Sequence, residues 1–261
     1  MDSTNLLTIV IPIRIDSDIR LSNLQTVVSF LLEDTQCSII VLEADEISKV
    51  KNLQKSNRLQ IIFVHDSSYR FHRTSYINKL LKLAQTPYVG IWDSDVLIDS
   101  YQIKAATDMM EKGAIFSLPY DGECIFLSEE FSEMVRGNTN LLFGTEASIA
   151  KNEFKLHRPS VGGAYIVNKN MYNQIGGENE KFIGWGPEDM ERAKRVEILG
   201  YPIHRCKGSI FHLYHPRGIN STLGTDEKAI SNLYEFVRVC SMTKCELWEY
   251  VKSNEWANSM L

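Results

Sequence analysis

Two acidic strings, a pair of imidazoles and two separated arginines are the reactive or ligating groups that stand out in this chain. Asp93-Ser94-Asp95 sets two carboxylates two residues apart just after an apolar run. There they can bind a hard divalent cation directly and through water, and the cation can bridge to a diphosphate. The same string is also ordinary turn chemistry; its place at a strand end is what favours a ligand. His212-Leu213-Tyr214-His215 offers two imidazoles three residues apart, followed by Pro216-Arg217. Imidazole with carboxylate suits Mn²⁺ or another transition ion better than Mg²⁺ alone. In a regular strand residues i and i+3 face opposite sides, so both could ligate only from a bend, and core or solvated histidines are the alternative. Gly184-Trp185-Gly186-Pro187-Glu188-Asp189 puts two acids in the first turn of a helix. Proline and acids there are routine capping chemistry, but a Trp held between glycines can also form a platform for a sugar ring. A carboxylate beside that platform could act as general base for an acceptor hydroxyl. Phe71-His72-Arg73 opens a helix and Arg14 follows the first strand; each arginine can pair a phosphate or fork onto a base edge, or simply make a surface salt bridge.

Strand and helix signals alternate through the first half and set where these groups fall. Leu6–Ile13 is a nearly continuous apolar run, as expected of a strand covered on both faces. Leu21, Leu24, Val27, Val28, Leu31 and Leu32 recur at helical spacing. Strands fit Ser38–Leu42, Gln60–Val64, Tyr88–Trp92 and Ala114–Leu118, with helices at Thr74–Ala84 and Ile103–Met110 and a short one through Ile47, Val50 and Leu53. This order predicts an α/β fold, an open and mostly parallel sheet flanked by helices. Ligands of such sheets bind at the carboxyl ends of the strands. The residues there are Arg14 and Asp16, Glu43 and Asp45, His65 and Asp66, and Asp93 and Asp95. Each of these four places carries at least one acid, and a cation is one way for acids to converge. In the second half, Glu129–Pro159 has no clear assignment, Val161–Asn168 pairs a Gly-Gly with a short apolar run, and Gly176-Gly177 marks a turn. A helix is predicted from Pro187 to about Leu199, closed by Gly200, and a helical tail from Asp226 to Leu261.

Composition narrows the classes. The 261 residues carry 28 Lys+Arg against 33 Asp+Glu, a net charge of −5, with 44% hydrophobic residues. Those values exclude intrinsic disorder, collagen-like structure and a small disulfide scaffold, and the absence of a basic block argues against nucleic acid as the main partner. No stretch is apolar enough to span a bilayer, and Met1–Asn5 lacks the positive charge of a signal peptide. The five cysteines are odd in number, scattered and without a Cys-x-x-Cys pair, which points to free thiols and a cytoplasmic location. Tyr234, Phe236, Trp248, Tyr250 and Trp256 make the tail aromatic. It could pack on the domain or make a peripheral membrane contact, though Glu235, Glu246, Glu249 and Glu255 disfavour anionic lipid.

Taken in order, these motifs resemble the inverting GT-A glycosyltransferases, particularly the β-1,4-galactosyltransferase family and its bacterial capsule-building relatives. Ile11-Pro12-Ile13-Arg14 is similar to that family's Pro-Phe-Arg segment, and Phe71-His72-Arg73 with Asn78 to its Phe-Asn-Arg segment. The resemblance implies that Pro12, Arg14, Phe71, Arg73 and Asp93 line the nucleotide site. Asp93-Ser94-Asp95 resembles the metal motif, with Asp95 the Mn²⁺ ligand. His215 matches the family's metal histidine, and His212 falls where the animal enzymes have a Met ligand. Val161-Gly162-Gly163-Ala164 resembles the Phe-Gly-Gly segment beside the donor sugar, and Gly184-Trp185-Gly186-Pro187-Glu188-Asp189 the Gly-Trp-Gly-Gly-Glu-Asp motif. By that resemblance Asp189 is the general base, Glu188 holds the donor sugar, Trp185 contacts donor and acceptor, and Gly163 and Ser160 border the sugar.

The resemblance covers about Leu7 to Arg217 and departs from the family at two places. Pro187 replaces a glycine of the loop motif, and Ser160-Val161 replaces a bulky aromatic pair, which would leave room for an N-acetyl group. The implied protein is one GT-A domain: a nucleotide-binding half at about 1–99, a donor and acceptor half at about 100–225 and a helical tail at about 226–261. The implied reaction moves Gal or GalNAc from a UDP-sugar to a glycan or lipid-linked acceptor in surface polysaccharide synthesis, at the inner membrane face. A sugar nucleotidyltransferase would need a glycine-rich phosphate loop after the first strand, and Ile13–Leu21 contains no glycine. A non-catalytic sugar-binding protein on the same fold is the other alternative.

Overall fold

The computed structural model describes residues 2–143, 159–218 and 227–260, and the backbone of 154–155. Its main sheet has seven strands in the order β10-β6-β9-β4-β1-β2-β3. These are β1 (Leu7–Ile13), β2 (Ser38–Asp45), β3 (Leu59–His65), β4 (Tyr88–Trp92), β6 (Phe116–Leu118), β9 (Ala164–Asn168) and β10 (Ile203–Arg205). All run one way except β9, which is antiparallel to both β4 and β6. A second sheet of order β5-β11-β7-β8 joins β5 (Val96–Leu97), β7 (Cys124–Phe126), β8 (Phe154–Lys155) and β11 (Ile210–His212). The mostly parallel sheet flanked by helices is therefore present. β1 is buried at every position, as its unbroken apolar run requires.

Helices α1 (Asp18–Asp34), α2 (Arg73–Leu83) and α3 (Ser100–Glu111) form where apolar periodicity places them. Ser17 caps α1 by accepting the Arg20 N–H. Within the unassigned Glu129–Pro159 stretch the chain forms α4 (Glu129–Gly137) and α5 (Asn140–Phe143); 144–153 and 156–158 lie outside the described residues. Then come α6 (Lys169–Gln174), α7 (Glu188–Ile198), α8 (Glu227–Cys240), α9 (Lys244–Ser253) and α10 (Glu255–Asn258). Gly176 and Gly177 make their turn with φ of 101° and 59°, and Gly200 closes α7 with φ of 91°.

The short helix expected through Ile47, Val50 and Leu53 does not form. The buried Glu43 carboxylate accepts instead from Ser48 Oγ (2.7 Å), Lys49 N (2.6 Å) and Val50 N (3.0 Å), which fixes this segment as a loop. The post-strand acids divide accordingly. Glu43 holds that loop, Asp45 pairs with Lys49 at 2.8 Å, and Asp66 accepts from Arg14 and the Tyr76 hydroxyl. Only the Arg14/Asp16 and Asp93/Asp95 places face the cavity described below. In the tail, Tyr250 is buried and Trp248 and Trp256 pack on the core, while Phe236 lines the cavity. Tyr234 alone of the five aromatics is largely exposed. Among the described residues no helix is long and apolar enough to cross a membrane, and all five cysteines are free.

Candidate active site

A cavity of about 1330 Å³ opens at the carboxyl ends of β1 and β4, and its lining includes Pro12, Arg14, Phe71, Arg73, Asp93 and Asp95, Ser160 and Gly163, Trp185, Glu188 and Asp189, and both histidines, but not Asn78. The antiparallel strand β9 explains how. Because β9 runs against β4, its start lies beside the end of β4: Trp92 pairs with Ala164, and Asp93 N donates to Gly163 O at 2.8 Å. Gly162-Gly163 is thereby laid against Asp93, and Gly163 takes φ of 84° to make the approach.

The metal-type donors converge through the second sheet. β5 pairs with β11 so that Val96 opposes His212, and Leu213 N donates to Asp95 O at 2.8 Å. Beyond His212 the chain bends, held by Tyr214 N on Ser132 Oγ (2.8 Å) and Asn23 Nδ2 on Tyr214 O (3.1 Å). The bend turns His215 back beside His212. Their Nε2 atoms lie 3.2 Å (His215) and 3.6 Å (His212) from Asp95 oxygens, and the three ligand atoms lie within 4.8 Å of one another. Ligands around one ion with bonds of about 2.1 Å lie about 3–4 Å apart, so the donor set fits a single divalent cation. Arg20 also reaches this carboxylate at 3.3 Å, while its Nε holds Asp16 at 2.8 Å. Burial works against an ionised Asp95, but His212, His215 and Arg20 hold it well below the usual carboxylate range. Burial pulls His215 down, and the Asp95 hydrogen bond and charge more than offset that, leaving it raised.

The second acidic string sits across the cavity. Pro187 N-caps α7 in place of the expected first helical position, so Glu188 and Asp189 fall in its first turn. Trp185, 43% exposed, projects from a loop pinned by Asn232 of α8. Asn232 accepts from Ile183 N (3.3 Å) and donates to the carbonyls of Ile183 (3.0 Å) and Trp185 (3.4 Å). Gly184 has φ of 73°, and a Cβ at Gly186 would come 2.8 Å from Asn232 Nδ2, so both glycines are sterically required.

Asp189 Oδ1 accepts from Arg192 Nη1 at 2.6 Å and lies 4.0 Å from Arg73 Nη1, while Arg73 Nη2 pairs with Asp93 at 2.5 Å. Burial, with Asp95 and Asp189 nearby, raises Asp93 against the pull of Arg73. Glu188 is buried at 8% exposure, and burial, reinforced by the adjacent Asp189, pushes it up to about 8. Five buried side-chain polar atoms among the described residues lack a hydrogen-bond partner, and two of them, Glu188 Oε2 and Arg73 Nη1, belong to residues lining this cavity. Buried polar atoms are rarely left unpaired without a ligand or water to meet them.

The remaining residues frame this centre. Pro12 is buried at the cavity wall, and Phe71 stacks on Tyr76 at 5.3 Å with Arg14 over its ring at 5.6 Å. Arg14 donates to Ala44 O, Ser68 O and Asp66. Ser160 Oγ lies 3.4 Å from the Tyr120 hydroxyl, which donates to Gly162 O at 2.6 Å. Asn78, expected beside the nucleotide, is buried elsewhere: it donates to Glu178 O and accepts from Glu178 N, fixing the turn after α6. Arg20, Tyr120, Glu178 and Arg192 escaped sequence reading. The Asp16–Arg20 spacing of four residues was the one local signal; the others depend on contacts far along the chain.

The family model for the N-terminal domain of galactosyltransferase matches residues 145–217, the stretch that carries Ser160, Gly163, the Trp185–Asp189 motif and both histidines. No curated protein matches the chain in sequence. Among solved structures, glucosyl-3-phosphoglycerate synthase from Mycobacterium tuberculosis, in complex with Mn²⁺, UDP and phosphoglyceric acid, superposes with a TM-score of 0.53 at 12% identity, over 90% of this chain and 78% of that one. A Drosophila β1,4-galactosyltransferase 7 variant, in complex with manganese, UDP-Gal and xylobiose, gives a TM-score of 0.52 at 16% identity, over 86% of this chain and 78% of that one. At these identities the likeness speaks for architecture, and the architecture is the GT-A glycosyltransferase fold.

Proposed function

We propose that this protein is a divalent-metal-dependent, inverting glycosyltransferase that moves Gal or GalNAc from a UDP-sugar to a hydroxyl of a glycan or lipid-linked acceptor. The observation that carries the reading is the meeting, in one cavity, of the Asp95–His212–His215 cluster with Glu188, Asp189 and Trp185. The family match over 145–217 and the UDP- and Mn²⁺-bound structural relatives support it. Asp95, His212 and His215 would hold Mn²⁺, which when bound supplies positive charge to the leaving diphosphate. Pro12, Arg14, Phe71, Arg73 and Asp93 border the nucleotide. The unpaired Glu188 Oε2 and Arg73 Nη1 offer hydrogen bonds to the donor, and Glu188 can donate as well as accept while it carries its proton.

Asp189 takes the proton of the acceptor hydroxyl as that oxygen bonds to the anomeric carbon and the bond to UDP breaks on the opposite face. On this reading Asp189 serves a single displacement with no covalent glycosyl-enzyme, and the product is inverted, by analogy with inverting glycosidases. Ser160, small where the family has an aromatic, supports acceptance of the N-acetyl group of GalNAc. Trp185 provides the stacking platform for the acceptor. On this reading the chain is one GT-A domain acting in surface polysaccharide synthesis at the inner membrane face.

Asp189→Asn tests the assignment. Transfer is expected to fall by about 10²–10⁴-fold while calorimetric titration shows UDP binding in Mn²⁺ unchanged. Near-normal transfer by the variant would refute the base assignment. A binding protein on the same fold would instead release no UDP from any UDP-sugar.

A further inference from the structure

Behind Asp189 lies a buried charge network that the reaction as described leaves unused. Arg192 is fully buried on α7, and its guanidinium forks onto Glu178, Nε to Oε1 at 2.9 Å and Nη2 to Oε2 at 2.7 Å. Glu178 in turn accepts from the hydroxyls of Tyr165 and Tyr172, each at 2.6 Å, and the Arg192 guanidinium lies 4.1 Å from the centre of the Tyr165 ring. A planar fork held by a carboxylate and a ring has almost no rotational freedom left. Its remaining nitrogen, Nη1, donates to Asp189 Oδ1 at 2.6 Å. The other oxygen, Oδ2, occupies the space above Gly162: a Cβ there would fall 2.3 Å from it.

We infer that Arg192, locked by Glu178, is the positioning residue for Asp189, holding Oδ1 so that Oδ2, over the side-chain-free Gly162, is the atom that takes the acceptor proton. This rests on Asp189 being the base. The network stabilises one orientation of the Asp189 carboxylate before the acceptor arrives, and orientation is where misplacement by about 1 Å costs turnover about 100-fold. Gly162 contributes by having no side chain, since any Cβ would displace Oδ2.

The test compares three variants with wild type by two readouts: affinity for UDP in Mn²⁺ by calorimetry, and transfer kcat at saturating donor. Removing Arg192 alone would leave Glu178 as an uncompensated buried charge, so the first variant pairs Arg192→Met with Glu178→Gln. Gly162→Ala approaches the same carboxylate from the opposite side and needs only the Asp189 side-chain end to shift. Both are expected to bind UDP within about threefold of wild type and to lose about 100-fold in kcat. Arg192→Lys, which keeps one donor for Oδ1, is expected to recover part of that loss. Should the paired variant not fold, Gly162→Ala carries the test. Wild-type kcat in the folded variants, or a loss of UDP affinity parallel to the loss of kcat, overturns the inference by making the network merely structural. Asp189→Asn separates the two failures. If it is slow while the folded variants are fast, the positioning role alone falls; if it is fast, the base assignment falls and the positioning role with it.

Discussion

Glu188 is the residue at which the site's design bears most directly on stability. Its carboxyl, unpaired at Oε2 and pushed up to about 8 by burial and by Asp189, stays protonated in the folded protein across the neutral range. In the unfolded chain it ionises near the ordinary glutamate value, about 4.3. The folded state therefore binds the extra proton, and the sign follows: the contribution is fully present below the unfolded pKa and is lost as pH rises toward the folded one. Each pH unit inside that window changes stability by about 1.4 kcal/mol. Between about pH 4 and about pH 7 this one group should thus destabilise the fold by about 3 kcal/mol. Glu188→Gln removes the ionisation while keeping the shape. Urea melts of both proteins at constant ionic strength, without ligand, should converge near about pH 4 and separate by about 3 kcal/mol near about pH 7, the variant being the more stable. The same variant should transfer sugar poorly, a stability gain bought with function. A stability difference that stays constant with pH would refute the argument, because it would mean that Glu188 is ionised in the folded state at neutral pH.

Two further outcomes follow from the same geometry. The cation must compete with a proton for His215, whose value Asp95 raises; Mn²⁺-dependent UDP binding should weaken by up to about tenfold per pH unit as pH falls through the imidazole range. Asp95→Asn should remove most of the Mn²⁺ affinity and, by removing the carboxylate that raises His215, move the remaining dependence to lower pH, as read by titration. Ser160→Tyr should turn donor preference away from UDP-GalNAc toward UDP-Gal, measured as the ratio of kcat/KM values; an unchanged ratio would show that Ser160 does not govern the space beside the N-acetyl group.

Much of the nucleotide-side architecture could be read directly because its information is local. β1, β4 and α1 follow from apolar periodicity, and Asp93-Ser94-Asp95 sits at the end of β4 where the alternation predicts it. The failures are equally physical. The Ile47–Leu53 segment has helical spacing, but Glu43 takes its backbone donors. Asn78 carries the right residue type for a family position yet is consumed by the turn at Glu178. In sequence the aromatic tail is open between packing and a membrane contact; Tyr250 is buried, Trp248 and Trp256 pack on the core and Phe236 faces the cavity, while Tyr234 faces solvent, a division that only the packed core sets.

By itself the sequence determined which side chains exist to do chemistry, and which strand and helix ends present them: the two acids after β4, the acids in the first turn of α7, the glycines around Trp185. Tertiary structure alone decided how they meet. The His212–His215 pair becomes a candidate metal cluster only because β11 registers against β5 and because Ser132 and Asn23 hold the bend between the two imidazoles. The Asp189 carboxylate is held by Arg192, which Glu178 fixes in turn, and lies over Gly162, three residues brought in from separate places along the chain. Periodicity and capping act over a few residues and are written in order along the chain. Register between distant strands and the partners of a buried charge are settled only when the whole core packs.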